Sequence, residues 1–188
     1  MARPRSDARK AAILAAATEV IAAQGLGAAT ASIAQAAEIS HGSLFTYFKT
    51  KAELFNELYL ALKVELSESI EKTLPPSVDL KVQMYHIWSS WMSWGVAHPQ
   101  KLRALAQLSV SDQITSESRQ AAMKIAEAGL ELVRNVGAMG ALKNLPPAFV
   151  NGVLEALAAT TIGFMSSTPD LAEEACNASF EAIWRALT

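Results

Sequence analysis

Residues 30–55, TASIAQAAEISHGSLFTYFKTKAELF, contain the pattern that decides the fold. The stretch predicts two short helices separated by a sharp turn, followed by the start of a third helix. Thr30 is placed to cap the first short helix, in which Ile33 and Ala37 lie on one narrow apolar face. Ser40 supplies the cap of the second short helix. This arrangement is typical of a helix-turn-helix, a motif with which many proteins enter the major groove of DNA.

The second short helix has one apolar side and one polar side. Leu44 and Phe48 are expected to face a small core, with Phe45 at its edge. Gly42 falls in the first turn, where the missing side chain lets another molecule approach the backbone closely. The groups left for the outer surface suit phosphates and base edges, and they are Ser40, His41, Ser43, Thr46 and Tyr47.

Residues 50–53, TKAE, match the capping box that opens a helix. Lys51 falls in the first turn of this third helix and can offer its charge to a phosphate. The same spacings also fit ordinary packed helices with solvated polar faces. Spacing alone does not separate the two interpretations.

The charge is distributed unevenly along the chain. Residues 1–51 carry six Lys and Arg against three acidic residues, whereas residues 52–188 carry ten against fifteen. Phosphate neutralisation supplies most non-specific affinity for DNA. A basic head on an acidic body therefore predicts DNA binding through the N-terminal segment, with the body pointing away.

The motif resembles that of the tetracycline-repressor (TetR) family of bacterial transcription regulators, roughly IA-x-x-(A/S)-x-(V/S)-S-x-G-(S/T)-L-Y-x-(Y/H)-F-x-x-K-x-x-L. The resemblance covers residues 9–60, and beyond them it rests on architecture alone. Phe45 stands where the family usually has Tyr, and Glu38 stands where a turn Gly is common. The loop between residues 25 and 33 is also about one residue shorter than the usual pattern. The matching positions are Ile33, Ala34, Ala37, Ser40, Gly42, Ser43, Leu44, Tyr47, Phe48, Lys51 and Leu54.

The predicted fold is all-α, since no segment shows the strict alternation of a half-buried strand. A three-helix DNA-binding head at residues 1–50 is followed by a larger helical ligand-binding and dimerisation body at residues 51–188. Helices are expected over about 6–24 and 50–73. Later breaks fall near 75–76, 98–99, 111–112, 140, 146–147 and 168–169. Together with the resemblance, the motif predicts a DNA-binding set of Thr30, Ser40, His41, Gly42, Ser43, Thr46, Tyr47 and Lys51.

The composition predicts a cytoplasmic protein with no membrane partner. Cys176 is the single cysteine, so no intrachain disulfide can form, and it is interpreted as a small core residue. No signal peptide is recognisable, and no uninterrupted apolar run reaches the roughly 20 residues that span a bilayer.

The segment 77–97 holds three of the four tryptophans. A stripe of Met and aromatic residues at helical spacing usually packs in a core, and that interpretation stays open. The resemblance implies a ligand pocket in this body. The ligand-binding residues predicted on that basis are Met84, Trp88, Trp91, Met92 and Trp94, with Gln107 as a polar group.

The last two helices are the predicted dimer interface. Residues 147–166 offer a face of large residues and a face of small ones, and the final helix, with Thr168 as cap and Pro169 first, has a strongly apolar face. In the family that the chain resembles, such helices pack against their copies in a second subunit; the alternative is that they cover the monomer core. The predicted dimerisation residues are Leu154, Leu157, Thr161, Phe164, Phe180 and Trp184.

No catalytic or metal site is predicted. The three histidines have no spacing that places two of them on one helical face with a carboxylate. No nucleophile elbow, phosphate-binding loop or dinucleotide fingerprint occurs, so the sequence predicts neither an enzyme nor a cofactor.

The sequence therefore predicts a homodimeric, ligand-responsive transcription regulator. It would be a repressor that a small apolar or aromatic effector releases from a palindromic double-stranded DNA operator. One alternative is a DNA-binding protein that activates transcription or lacks a sensor role. Another is a helical small-molecule-binding or adaptor protein that does not bind DNA.

Overall fold

The computed structural model describes residues 3–71, 79–137 and 140–188, and all regular structure in these ranges is helical. The prediction of an all-α fold is confirmed. The helices are α1 (Arg3–Gln24), α2 (Thr30–Ala36), α3 (His41–Tyr47), α4 (Lys51–Glu71), α5 (Leu80–Ala97), α6 (Pro99–Ser109), α7 (Ser116–Ile125), α8 (Glu127–Gly137), α9 (Pro147–Ser167) and α10 (Ala172–Leu187), with a 3-10 turn at Pro169–Leu171.

The chain divides into two compact units. The first unit contains Met1–Val64 and His98–Ala122, and the second contains Glu65–Ala97 and Met123–Thr188. The first unit therefore combines the N-terminal helices with α6 and most of α7, because α6 packs along α1. The boundary at residue 50 remains a prediction about which segment meets DNA.

The first unit is built around the apolar stripe of α1. Ile13, Ala17 and Ile21 are fully buried on this helix, which packs against both α2 and α6. Burying a large aliphatic or aromatic side chain contributes about 1.5–3 kcal/mol. The other residues of this unit with no exposed surface are Ile33, Leu44, Phe48, Leu54, Phe55, Ala104 and Leu108.

Side chains also fix the loop between α6 and α7. The Asn56 amide nitrogen donates to the carbonyl of Gln113 at 2.8 Å, and its amide oxygen accepts from the backbone of Thr115 at 2.9 Å. The Arg119 guanidinium donates to the carbonyl of Ser109 at 2.8 Å, at the C-terminal end of α6. The first turns of α4 are thereby joined to a loop more than fifty residues further along the chain.

The second unit packs α5 against α8, α9 and α10. At the crossing of α5 and α9, a Cβ added to Gly95 would lie 2.5 Å from the Cδ1 atom of Ile162. Such a distance is shorter than a carbon–carbon contact permits, so glycine is required there for the two helices to approach each other.

Several helix ends differ from the sequence prediction. Thr30 does not cap α2, because the N-cap position is Ala29, which makes no side-chain bond. Thr168 and Pro169 open the 3-10 turn, and α10 begins only at Ala172. A break at Ala126 separates α7 from α8. The expected break at residues 75–76 lies outside the described residues.

α9 is the one helix among the described residues that is long and apolar enough to cross a membrane. Its most apolar stretch has a mean hydropathy of 1.4. Helices in the core of soluble proteins reach the same length and composition. This property alone is weak support for a membrane span.

Candidate nucleic-acid interface

The turn between α2 and α3 requires an unusual backbone conformation. Glu38 has a φ of 54°, in the left-handed region that side chains with a Cβ rarely adopt. The turn is closed by the amide of Ala37, which donates to Ile33 at 2.9 Å, and by the amide of Ile39, which donates to Ala34 at 3.0 Å. Glu38 therefore occupies a position where glycine would be unstrained.

Ser40 begins α3 as the sequence predicts. Its hydroxyl accepts from the amide of Ser43 at 3.1 Å, which satisfies one of the free N–H groups of the first turn. The two serine hydroxyls also lie 2.7 Å apart. The start of the helix is thus fixed by its own side chains.

α3 is anchored on one side and open on the other. Leu44 and Phe48 have no exposed surface, whereas Phe45 is 39% exposed. His41, Gly42 and Thr46 are exposed, and Ser43 and Tyr47 are half-buried. The predicted division of α3 into a core side and a polar outer side is confirmed.

No packing contact among the described residues explains why residue 42 is glycine. A Cβ added to Gly42 would meet no atom within 4 Å, and its φ is not in the left-handed region. Alanine would also be the better helix former. The backbone at residue 42 is therefore open to close approach by another molecule.

A hydrogen bond joins the first residue of α2, Thr30, to the first residue of α3, His41. The Thr30 hydroxyl lies 2.9 Å from Nε2 of His41. The His41 ring also meets Phe45 edge-on, with the ring centroids 5.1 Å apart and an angle of 68° between the planes. The sequence did not predict the bond between Thr30 and His41, because the two residues lie eleven positions apart.

Lys51 holds the loop that precedes α2. Its Nζ donates to the carbonyl of Leu26 at 2.8 Å and to that of Ala28 at 2.7 Å. The same nitrogen lies 5.3 Å from the centroid of the Phe55 ring. The expected phosphate contact of Lys51 stays a prediction, and the structure adds a second task for this side chain.

The start of α4 forms one bond of the predicted capping box, and the reciprocal bond is shifted by one residue. The amide of Glu53 donates to the Thr50 hydroxyl at 3.0 Å. The Glu53 carboxylate accepts from the amide of Lys49 at 2.6 Å. These bonds fix the end of α3 relative to the start of α4.

The tryptophan segment lies in the core of the second unit. Met84, Trp88, Met92 and Trp94 are all at most 4% exposed, while Trp91 is half-buried. The indole nitrogen of Trp88 donates to Ser179 at 3.1 Å, and that of Trp94 donates to Glu65 at 3.3 Å. Gln107 belongs to the first unit, where its amide donates to the carbonyl of Ile21 at 3.3 Å. Ligand binding by these residues stays a prediction, and their packing agrees with the core interpretation.

An apolar groove of about 330 Å³ lies between the start of α5 and α10. None of the predicted ligand-binding residues lines it. Burial raises the pKa of Tyr85, whose hydroxyl donates to the Asn177 side chain at 2.6 Å at this groove. The lining residues are Asp79, Lys81, Val82, Tyr85, Asn177, Phe180 and Glu181.

The predicted dimerisation residues divide into buried and accessible groups. Leu154, Thr161 and Phe180 are at most 6% exposed within the single chain. Leu157 and Trp184 are half-buried, and Phe164 is 44% exposed. The face of small residues on α9 is exposed along its length and consists of Gly152, Ala156, Ala159 and Gly163.

Comparisons with known proteins place these helices in a family. Residues 13–58 match the model of the tetR family of bacterial regulatory proteins. The chain is also 35% identical over 71 residues to YhgD, an uncharacterized HTH-type transcriptional regulator of Bacillus subtilis strain 168. That match spans 37% of this chain and 37% of YhgD.

Two solved structures extend the likeness to the whole chain. A candidate tetR family transcription regulator from Shewanella sp. PV-4 has a TM-score of 0.83 and 28% identity, covering 95% of this chain and 97% of its own. The regulator FadR from Bacillus subtilis, in complex with stearoyl-CoA, has a TM-score of 0.69 and covers 95% of this chain and 99% of its own. At 17% identity, FadR is similar in fold alone.

The helix-turn-helix geometry, the family match over residues 13–58 and the similarity in fold over 95% of the chain agree with one another. Residues 13–58 therefore match the tetR family of bacterial regulatory proteins, and the chain is similar in fold to a candidate regulator of that family.

Proposed function

We propose that the protein is a ligand-responsive transcription regulator that binds a palindromic DNA operator as a homodimer in the cytoplasm. The observation that carries the proposal is the open side of α3, where polar side chains surround a glycine that no internal packing requires. Recognition helices from two subunits would enter successive major grooves.

The contacts with DNA divide into two kinds. Ser43, Thr46 and His41 are proposed to reach base edges, because they lie on the accessible side of α3. Tyr47 and Lys51 are proposed to contact phosphates. An ammonium has three N–H donors, and the two carbonyl bonds of Lys51 leave one donor for a phosphate oxygen.

The regulatory part of the proposal concerns the helical body. A small apolar or aromatic effector would bind there and release a repressor from its operator. FadR offers support, since a protein of this fold was crystallised with an acyl-CoA. Coupling between effector and operator is typically about 1–3 kcal/mol. α4 is the proposed route, because it runs without interruption from residue 51 to residue 71.

The decisive experiment is selection of bound sequences from random duplex DNA. The best site is then titrated by fluorescence anisotropy at several salt concentrations. An enriched palindrome and an affinity that falls steeply with salt are expected, because phosphate contacts release counterions. No enrichment and no binding at low salt would contradict the proposal and favour an adaptor protein.

A further inference from the structure

We infer that Thr30 sets the base preference of the protein through His41 and does not hold a phosphate. On this inference Thr30 is a positioning residue: its hydroxyl holds the His41 imidazole at the first residue of α3. The inference rests on the proposed function, because it assumes that α3 enters DNA. It assigns to Thr30 a role other than the helix cap and the direct DNA contact that the sequence predicts.

The Thr30 hydroxyl has no part in capping its own helix. The N-cap of α2 is the preceding residue, Ala29, which makes no side-chain bond. The partner of the hydroxyl is instead Nε2 of His41, at 2.9 Å. A threonine at the start of a short helix is thus used for a bond to the neighbouring helix.

Two contacts hold the His41 ring. Thr30 holds one ring nitrogen, and Phe45, one turn further along α3, meets the ring edge-on at 5.1 Å. A hydroxyl can donate or accept, so the bond to Nε2 is compatible with either neutral tautomer of the imidazole. Nδ1 is then the ring nitrogen that remains for a base edge.

This restraint matters because His41 is exposed. An exposed side chain that becomes ordered only on binding lowers affinity through the loss of rotamer freedom. A ring that is already held in the free protein avoids much of this cost and presents its free nitrogen in one direction. Loss of the Thr30 hydroxyl should therefore reduce discrimination at the base pair that His41 reads.

The test compares variants on operators that differ at a single base pair. His41→Ala first identifies that base pair, as the position where preference is lost. Thr30→Val, which removes the hydroxyl but keeps the shape, is then measured on all four base pairs at this position. Affinity for the preferred pair should fall about 2- to 12-fold, the factor that corresponds to one net hydrogen bond, with little change for the other three.

Further variants separate positioning from other effects. Thr30→Ser should keep the preference, since it retains the hydroxyl. Thr30→Val combined with His41→Ala should bind no worse than His41→Ala alone, because residues that act as one unit are not additive. The matched control is Thr188→Val, which removes an exposed hydroxyl that bonds to Trp184 at 2.9 Å and should leave affinity unchanged. Unfolding in urea verifies that each variant is folded.

Three results would overturn the inference. An equal loss on all four base pairs, additive with His41→Ala, would place Thr30 on a phosphate. An unchanged preference in His41→Ala would show that His41 reads no base. In both cases the wild-type protein still binds its operator, so the proposed function survives. If the wild-type protein binds no duplex at low salt, the proposed function fails and this inference fails with it.

Discussion

At the scale of single residues, Lys51 is proposed to contact a phosphate and also holds the loop that precedes α2. We expect Lys51→Ala to weaken binding to all DNA sequences alike, since a phosphate contact carries no base information. The same change should lower the free energy of unfolding by about 1–2 kcal/mol, because the carbonyls of Leu26 and Ala28 lose a charged donor. Fluorescence anisotropy and urea unfolding measure the two effects.

Lys49→Ala is the matched control for Lys51→Ala. Lys49 is exposed just after the C-cap of α3, so its loss removes the same charge from the same region. Its effect on the free energy of unfolding should stay within about 0.5 kcal/mol. If both variants unfold alike, the two carbonyl bonds of Lys51 do not stabilise the protein.

The strained turn residue Glu38 gives a second prediction. A left-handed conformation costs a residue with a Cβ about 1–2 kcal/mol, whereas glycine loses about 0.5–1 kcal/mol of chain entropy. Glu38→Gly should therefore raise the free energy of unfolding by about 0.5–1 kcal/mol. Glu19→Gly, an exposed position inside α1, should lower it by about 1 kcal/mol. Equal destabilisation in urea by both changes would contradict the strain at Glu38.

Gly42 allows folding and DNA binding to be separated. Gly42→Ala should raise the free energy of unfolding by up to about 1 kcal/mol, since alanine favours the helix and its Cβ would meet no atom of the described residues within 4 Å. Operator affinity should fall, because the new methyl group occupies space that DNA needs. Gly129→Ala in α8, whose Cβ would meet only Ile87 at 4.0 Å, should stabilise similarly without changing affinity. Unchanged operator affinity of Gly42→Ala would mean that DNA does not approach this backbone closely.

At the scale of elements, local signals predicted helix starts better than contacts between helices. Ser40 caps α3 as predicted, and α6 and α9 begin at predicted breaks, because a cap or a fixed φ acts within one turn. The caps predicted at Thr30 and Thr168 were wrong by one residue and by one 3-10 turn. The break at Ala126 contains no Gly or Pro, so it could not be predicted from local signals.

In the candidate interface too, features set by local sequence could be predicted, whereas contacts between helices could not. The outer side of α3 follows from helical periodicity, so it could be predicted. The bonds from Thr30 to His41 and from Lys51 to Leu26 join residues eleven and twenty-five positions apart. Such contacts depend on how helices pack, and a single sequence does not contain that information in a readable form.

The close crossing of α5 and α9 predicts how substitutions at Gly95 and Ile162 change stability. Gly95→Ala should lower the free energy of unfolding by about 1–3 kcal/mol, because its Cβ would lie 2.5 Å from Ile162 Cδ1. Adding Ile162→Val, which removes this atom, should restore part of the loss, so that the double variant is more stable than the sum of the single changes implies. Gly129→Ala in α8, whose Cβ would meet only Ile87 at 4.0 Å, is the control. Simple additivity in urea unfolding would show that the two residues do not limit this crossing.

At the scale of the whole molecule, α9 carries an apolar surface that a single chain leaves open. Phe149 and Phe164 are 53% and 44% exposed, and the small residues between them are exposed as well. Three of the six predicted dimerisation residues are already buried within one chain. We therefore expect a dimer interface to centre on the small-residue face, where two helices can approach closely.

Ala159→Glu tests this interface and, with it, the dimeric form of the regulator. A carboxylate at the centre of two closely packed helices would be buried without a partner, so the variant should be monomeric at concentrations where the wild type is dimeric. Operator affinity should fall too, because one subunit reads only one half-site. Ala128→Glu in α8 places the same charge at another exposed position and should stay dimeric. Sedimentation velocity distinguishes the two states, and an Ala159→Glu variant that remains a dimer would place the interface elsewhere on the chain.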